Sequence, residues 1–283
     1  MKSKNTIEQN KFIEANVKVH TAMANIYNEG PHFREENKKK VRQDLMICVS
    51  ELKTKKSLLD LGCGTGFIID LVHDQFDEIH GVDVTPAMLK QVNLHEGKVS
   101  LHLSQAEKTP FADQSFDMVT AYSFLDHLPD LEPVFKEIYR VLRPGGIFYS
   151  GQTANYYFWQ GLKNIEMQGY DPNSTPEIVK REFSASLYQA ADIAQHYDFS
   201  AEEFENAEFI KSQQGGVRDR DVEELAKKIG FKKIDIKFHW YLGQAKVMHQ
   251  QSFEDSQKIE SYLNSILPLS KSLFKYIEIK LWR

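Results

Sequence analysis

The run Leu58-Leu59-Asp60-Leu61-Gly62-Cys63-Gly64-Thr65-Gly66 is the first stretch in which residue types and spacing suggest chemistry. Glycines at alternate positions let the backbone turn tightly and let a ligand lie against the main chain with no Cβ in the way. A helix that follows such a loop offers free N–H groups and the positive end of its dipole. The loop alone is compatible with NAD, FAD, a nucleotide or a tight turn without ligand. Its spacing narrows the choice. In the dinucleotide fingerprint G-x-G-x-x-G the third glycine comes one position later, and here Phe67 stands where that last small residue is needed. No Lys-Ser or Lys-Thr pair follows, which excludes a phosphate-binding P-loop. Asp60 would repel a pyrophosphate but suits a ligand with an ammonium group. Asp83, 17 positions after Gly66, can accept hydrogen bonds from both hydroxyls of a ribose. Its other reading is a cap on a helix opening at Val84-Thr85-Pro86.

Short apolar runs alternating with helical stretches must position these residues. Ser57–Leu61, Glu78–Asp83, Lys98–Ser104, Phe116–Tyr122 and Gly146–Ser150 read as strands, with helices over Gly66–His73, Pro86–Asn93 and Leu131–Leu142 between them. Strands alternating with helices imply a parallel sheet covered on both faces, and ligands of such sheets bind at the carboxyl ends of the strands. The spacing predicts four segments. Residues 1–55 read as a helical N-terminal cap, broken at Gly30-Pro31, and 56–151 as the core. Residues 152–214 show no convincing strand, many aromatics and a capping box at Ser200-Ala201-Glu202-Glu203; they read as a helical insertion after the fifth strand, a substrate lid that ends at Gly215-Gly216. Residues 215–283 return to the core. They carry a helix at Asp219–Ile229 closed by Gly230, a strand at Phe231–Tyr241, a helix at Phe253–Leu267 and a last strand at Leu273–Trp282. In that last strand Ile277, Ile279 and Leu281 face one way and Tyr276, Glu278 and Lys280 the other. The count is seven strands.

Composition bounds the function. The 283 residues carry 35 basic and 40 acidic side chains, a net charge of -5, 41% hydrophobic and 27% charged residues. That is the profile of an ordinary globular protein with ample core material, and it excludes disorder, collagen and disulfide scaffolds. The mildly acidic balance argues against a nucleic-acid partner. The two cysteines, Cys48 and Cys63, make no disulfide framework, so a reducing, cytoplasmic location is expected. The N-terminal MKSKNTIEQNKF lacks the apolar stretch of a signal peptide, and no apolar run approaches the roughly 20 residues that span a bilayer.

Four ordered motifs carry a resemblance: LLDLGCGTGF, GVDVTPAML, SQAEKTPFADQSFDMV and LRPGG. Together they resemble the class I, Rossmann-like S-adenosylmethionine-dependent methyltransferases, and most closely the small-molecule branch that includes the quinone-biosynthesis enzymes. The resemblance covers residues 57 to about 151 and implies an α/β doubly wound, mostly parallel sheet of strand order 3-2-1-4-5-7-6. It implies S-adenosyl-L-methionine as cofactor and a small-molecule acceptor, acting in a monomer or homodimer without nucleic acid or membrane. By the same resemblance Gly62, Cys63, Gly64 and Gly66 form the loop that cradles the methionine part, with Asp60 near its ammonium end. Asp83 holds the ribose, and Val84 and Met88 pack on the adenine. Gln105, Ala106 and Glu107 match the segment at the adenine edge, with Gln105 where the family usually has Asp. Tyr122 and Ser123 lie near the sulfonium, and Tyr27 resembles a tyrosine that closes over the cofactor. Methyl transfer to a small molecule is the activity this implies, with oxygen slightly favoured over nitrogen or carbon. The alternatives are other chemistry on the same cofactor and a non-catalytic sensor.

Other residues allow two readings. Cys63 between two glycines could be a nucleophile but reads better as a small filler. His127, just after the fourth strand, could be a general base, a hydrogen-bond partner of substrate or a packing residue, and is the candidate catalytic group. His20, His239 and His249 are isolated and read as surface or packing. His73, His80, His95 and His102 lack metal-ligand spacing, so no metal is expected. Tyr156, Tyr157 and Trp159 either pack the insertion or line the pocket of an apolar or aromatic substrate.

Overall fold

Apolar runs without polar alternation cannot face water on either side, and the two most continuous in this chain lie at the middle of a sheet. The computed structural model describes residues 4–245 and 252–283; His249 lies outside the described residues. The strands are β1 (Ser57–Leu61), β2 (Glu78–Asp83), β3 (Val99–Leu103), β4 (Phe116–Tyr122), β5 (Leu142–Ala154), β6 (Lys233–Tyr241) and β7 (Phe274–Trp282). They form one sheet in the order β3-β2-β1-β4-β5-β7-β6. The first five pair parallel with one another, and β7 runs antiparallel between β5 and β6. Every residue of β1 and β4 is buried.

Alternate side chains on these strands serve opposite layers. Leu58, Met118 and Ile147 pack with helices α2 (Glu35–Glu51) and α3 (Phe67–Val72). Leu59, Val119 and Phe148 pack with α5 (Leu131–Val141) and α10 (Asp219–Ile229) on the other face. Between these helices in the chain lie α1 (Lys4–Met23), α4 (Pro86–Leu89), α6 (Tyr156–Met167), α7 (Glu177–Ser186), α8 (Gln189–Ala194) and α9 (Ala201–Ala207), and α11 (Phe253–Ser265) precedes β7. Short 3-10 turns at Ala24–Glu29 and Pro31–Phe33 join α1 to α2, so the first helix ends well before Gly30-Pro31.

Three local readings change in the structure. The fifth strand, read as Gly146–Ser150, runs from Leu142 to Ala154, because the Asp126 carboxylate accepts the Ala154 N–H at 2.9 Å and β7 pairs as far as Ala154. The insertion is therefore a closed excursion that leaves at Asn155 and returns where Val217 bridges to Asn155. Second, Glu278 and Lys280 on the polar face of β7 are buried, forming an ion pair at 3.0 Å, with the Tyr149 hydroxyl donating to Glu278 at 3.3 Å. Alternation alone marks that face as polar; the tertiary fold covers it. Third, the helix read over Pro86–Asn93 is only Pro86–Leu89.

The insertion packs less on the sheet than on α1. Phe199, Phe204 and Ala207 pack with Ala15 and Val19, and Lys11–Glu202 and Lys18–Glu203 ion pairs at 3.0 and 2.7 Å flank that contact. The Ser200–Glu203 capping box opens α9.

Asp117 anchors the start of the sheet. Its carboxylate accepts from the Thr54 hydroxyl at 2.6 Å and from the Lys56 and Ser57 N–H groups at 2.8 and 3.0 Å, and it pairs with Arg143 at 2.9 Å. Burial opposes its ionisation, but those donors outweigh burial and hold the carboxyl below its ordinary range. Asp117→Ala strands two N–H groups and an arginine in a buried setting. We expect a loss of about 3 kcal/mol or more, measured as a lower denaturant midpoint.

Candidate active site

The carboxyl ends of β1 to β4 open into one cavity of about 1210 Å³, its open mouth included, roofed by α1 and the turns after it. Gly62, Gly64 and Gly66 all have left-handed backbone, with φ of 63°, 52° and 93°, a region open to glycine and strained for other residues. A Cβ on Gly62 would also meet the Phe124 ring at 2.0 Å. The loop is held by Asp83: one carboxylate oxygen accepts the Gly64 N–H at 2.9 Å and the other the Thr85 N–H at 2.8 Å. A carboxylate offers about four lone-pair positions, so each oxygen keeps one for a ligand hydroxyl. Asp83 thus both latches the loop and faces the cavity; it is not the cap of α4, whose N-cap residue is Thr85.

The cavity brings together most of the residues singled out in the sequence. Tyr27, Gly62, Cys63, Gly64, Asp83, Val84, Met88, Gln105, Ala106, Glu107, Tyr122, Ser123 and His127 line it. Asp60 does not. Its side chain is buried under the loop, accepts from the Thr120 hydroxyl at 2.7 Å, and is pushed up to about 7 by burial. Gly66 likewise lies behind the lining, where it turns the chain into α3 against Val92. Cys63 is buried and burial pushes its thiol well up, which removes it as a nucleophile at neutral pH.

The expected substrate lid is a correction. No residue of 152–214 lines this cavity. Tyr157 joins the core beside α10 and its hydroxyl donates to Asp219 at 3.1 Å. Tyr156 stacks under the Arg218 guanidinium at 3.9 Å, and Trp159 is buried with Phe158 and Phe183. These aromatics dock the insertion, with Phe158 and Trp159 of α6 packed against Phe183 of α7.

α1 provides the roof instead, through Phe12, Ile13, Asn16 and His20. Sequence reading missed them because α1 has no clean apolar stripe: one face covers a cavity, another covers α9. His20, read as isolated, has its ring 5.0 Å from that of His127, whereas His239 is buried in a pairing with Glu260 at 3.4 Å. Phe33, Phe67 and Tyr122 continue the wall as an aromatic row with centroids 5.2 and 5.0 Å apart.

His127 is held from behind. Its Nδ1 lies 2.6 Å from the Ala207 carbonyl at the end of α9. A carbonyl only accepts, so the proton is assigned to Nδ1 and Nε2 keeps its lone pair. Burial, with His20 nearby, lowers the imidazole to about 4. It is neutral at pH 7 and a weaker base than a free histidine.

Sheet order and cavity together define the class I, Rossmann-like S-adenosylmethionine-dependent methyltransferase fold. Residues 59–150 match the methyltransferase domain family. It is 35% identical over 148 residues to a ubiquinone biosynthesis O-methyltransferase of Idiomarina loihiensis, covering 49% of this chain and 60% of that protein. It is 25% identical over 232 residues to phosphoethanolamine N-methyltransferase 2 of Caenorhabditis elegans, covering 78% of this chain and 50% of that protein. The chain thus spans about half the length of these curated relatives. Among solved structures, an S-adenosylmethionine-dependent methyltransferase of Archaeoglobus fulgidus has the same fold at a TM-score of 0.51 and 17% identity, covering 87% of this chain and 94% of that one. A second, from Mesorhizobium loti, superposes at 0.53 with 14% identity, covering 90% of this chain and all of that one. Among the described residues no helix is long and apolar enough to cross a membrane.

His127 makes stability depend on pH with a definite sign. Its pKa is near 6.5 in the unfolded chain and about 4 in the fold. The unfolded chain takes up a proton that the fold refuses, so this residue's contribution is intact above about pH 6.5 and is lost as pH falls toward 4. We expect His127→Gln to lose less stability than wild type between pH 7 and pH 5, read from urea midpoints at both pH values.

Proposed function

We propose that the chain transfers the methyl group of S-adenosylmethionine to a small-molecule acceptor, with oxygen slightly favoured over nitrogen or carbon. The observation that carries this is the division of the cavity. One end joins the glycine loop to Asp83, Val84, Met88 and the Gln105–Glu107 segment. The other joins α1 to His127.

The first end fits the cofactor by its donor set. The spare lone pairs of Asp83 suit two ribose hydroxyls, Val84 and Met88 offer an apolar slot for adenine, and Gln105, Ala106 and Glu107 offer its edge polar and main-chain contacts. Gly62, Cys63 and Gly64 leave room along the main chain for the methionine part, with Asp60 acting as a buried acid beneath the loop and Gly66 turning the chain into α3. Tyr122 and Ser123 end β4 beside it, and Tyr27 covers it. The aromatic row Phe33, Phe67 and Tyr122 suits a neighbouring cation.

When bound, the cofactor supplies an electrophilic methyl on a sulfonium. The chain then has to align the acceptor and keep water out. For a hydroxyl acceptor, the O–H proton passes to Nε2 of His127 as the new O–C bond forms. The electron pair of the S–C bond would remain on the cofactor's sulfur, and the His127 imidazolium would return its proton to solvent. The relatives named for O- and N-methyl transfer make methyl transfer the common element and leave the receiving atom to experiment. Two free, buried cysteines fit a cytoplasmic, reducing setting.

Formation of S-adenosylhomocysteine across a panel of phenols, alcohols and amines tests this reading; tight cofactor binding with no turnover on any acceptor would favour a sensor. Asp83→Ala removes a charged hydrogen-bond acceptor and the loop latch together. We expect cofactor binding about 10- to 100-fold weaker by calorimetry. His127→Ala removes a weak base, so kcat should fall by about 100-fold, at the low end for general-base catalysis, with cofactor affinity unchanged.

A further inference from the structure

The acceptor end of the cavity has an unusual set of polar groups. His20 and His127 lie edge to face with ring centroids 5.0 Å apart. Each has its Nδ1 against a main-chain carbonyl: His20 on Asn16 at 2.9 Å and His127 on Ala207 at 2.6 Å. A carbonyl only accepts, so each Nδ1 carries a proton. Neither Nε2 has a hydrogen-bond partner among the described residues, and both rings line the cavity. Around them lie Phe12, Ile13, Phe124, Leu128 and Pro129, and the Asn16 amide N–H groups are spent on the Phe12 and His127 carbonyls. Among the described residues lining the whole cavity there is no lysine or arginine.

We infer that His20 is a specificity-determining residue, and that with His127 it selects a neutral, largely apolar acceptor carrying hydroxyl groups that donate to two imidazole lone pairs. This inference rests on the methyltransferase reading of the site.

The physical reason is the mismatch each other acceptor class would meet. A phosphate or carboxylate presents only acceptors to two facing lone pairs in an apolar setting, with no cation to compensate it, and burying an unpaired anion is costly. A hydroxyl-bearing ring places its donors on the Nε2 atoms and its body against the phenylalanines. A site built to hydrogen-bond a ligand group rejects analogues that lack it far more strongly than an apolar pocket rejects a missing methylene. Two acceptors in reach of one another suit a ligand with two hydroxyls better than a ligand with one.

The test uses the full chain with three probes: catechol, phenol and phenyl phosphate. Calorimetry with S-adenosylhomocysteine comes first and reads the underlying proposal: no binding means that the methyltransferase reading fails. With the product complex in hand, long-range nitrogen correlation spectra of ¹⁵N-histidine read the tautomers at pH 7. Both rings should be neutral with the proton on Nδ1, and both Nε2 signals should move on adding catechol and stay in place with phenyl phosphate. Catechol should bind at least about tenfold more tightly than phenyl phosphate, the effect of one hydrogen bond to a buried partner. His20→Phe keeps a ring without the lone pair and should weaken catechol by about tenfold while phenol changes less; His20→Gln, which restores an acceptor, should recover part of the loss. A proton on either Nε2, preference for the phosphate, failure of catechol to bind the product complex, or equal catechol affinity in wild type and a folded His20→Phe each overturns the inference.

Discussion

One carboxylate at the end of β2 sets the geometry on which the cavity depends. Asp83 accepts one N–H from the glycine loop and one from the turn into α4. Two segments that would otherwise diverge are thus held a hydrogen-bond length from a common group. The loop can adopt three left-handed residues in close succession only because they are glycines, and it holds that shape against the open cavity because Asp83 ties it down. Phe124 closes over Gly62 where a Cβ would stand, so the β4 end depends on the same loop. The glycine loop, the turn into α4 and the end of the fourth strand are therefore tied together around one carboxylate.

A second dependence runs through the insertion. Its aromatics dock it beside the sheet, and its last helix braces α1. It reaches the His127 end of the cavity through two hydrogen bonds: the Ala207 main-chain carbonyl accepts from Nδ1 of His127, and the Gln214 amide donates to the Pro129 carbonyl at 3.3 Å. The segment that forms the roof, α1, is held by the insertion and not by the sheet. The position of α1 and His127 therefore depends on the insertion, although no insertion side chain lines the cavity.

Charge is distributed with the same economy. Asp83 and Glu107 line one end of the cavity and the His127 imidazole, neutral at pH 7, lines the other. Burial pushes Asp60 and Asp126 up to about 7 and His32 and His127 down to about 4, so the groups around the site shed charge where water is excluded. On the far side of the sheet the opposite solution is used, with Glu278 and Lys280 kept as a buried pair.

The core and the geometry of the glycine loop were legible in the sequence, because their signals are local. Mostly apolar runs, whose acids Asp60 and Asp117 are hydrogen-bonded, put β1 and β4 in the centre of a covered sheet. Glycine spacing reports a left-handed turn through backbone sterics, and Asp83 follows at a distance set by one helix and one strand. The acceptor end was not legible. Tyr156, Tyr157 and Trp159 were as apolar as a substrate pocket requires, but which side an insertion folds toward is decided by contacts far apart in sequence, here Asn155 with Val217 and Phe274. His20 looked isolated because its neighbour, His127, is more than a hundred residues away. Asp60 stood beside the loop in sequence, yet the pleat of β1 turned its side chain beneath it. Local sterics and periodicity are written in consecutive residues; the partners that decide a side chain's tautomer, charge and access to a cavity come from the other end of the chain and exist only once it has folded.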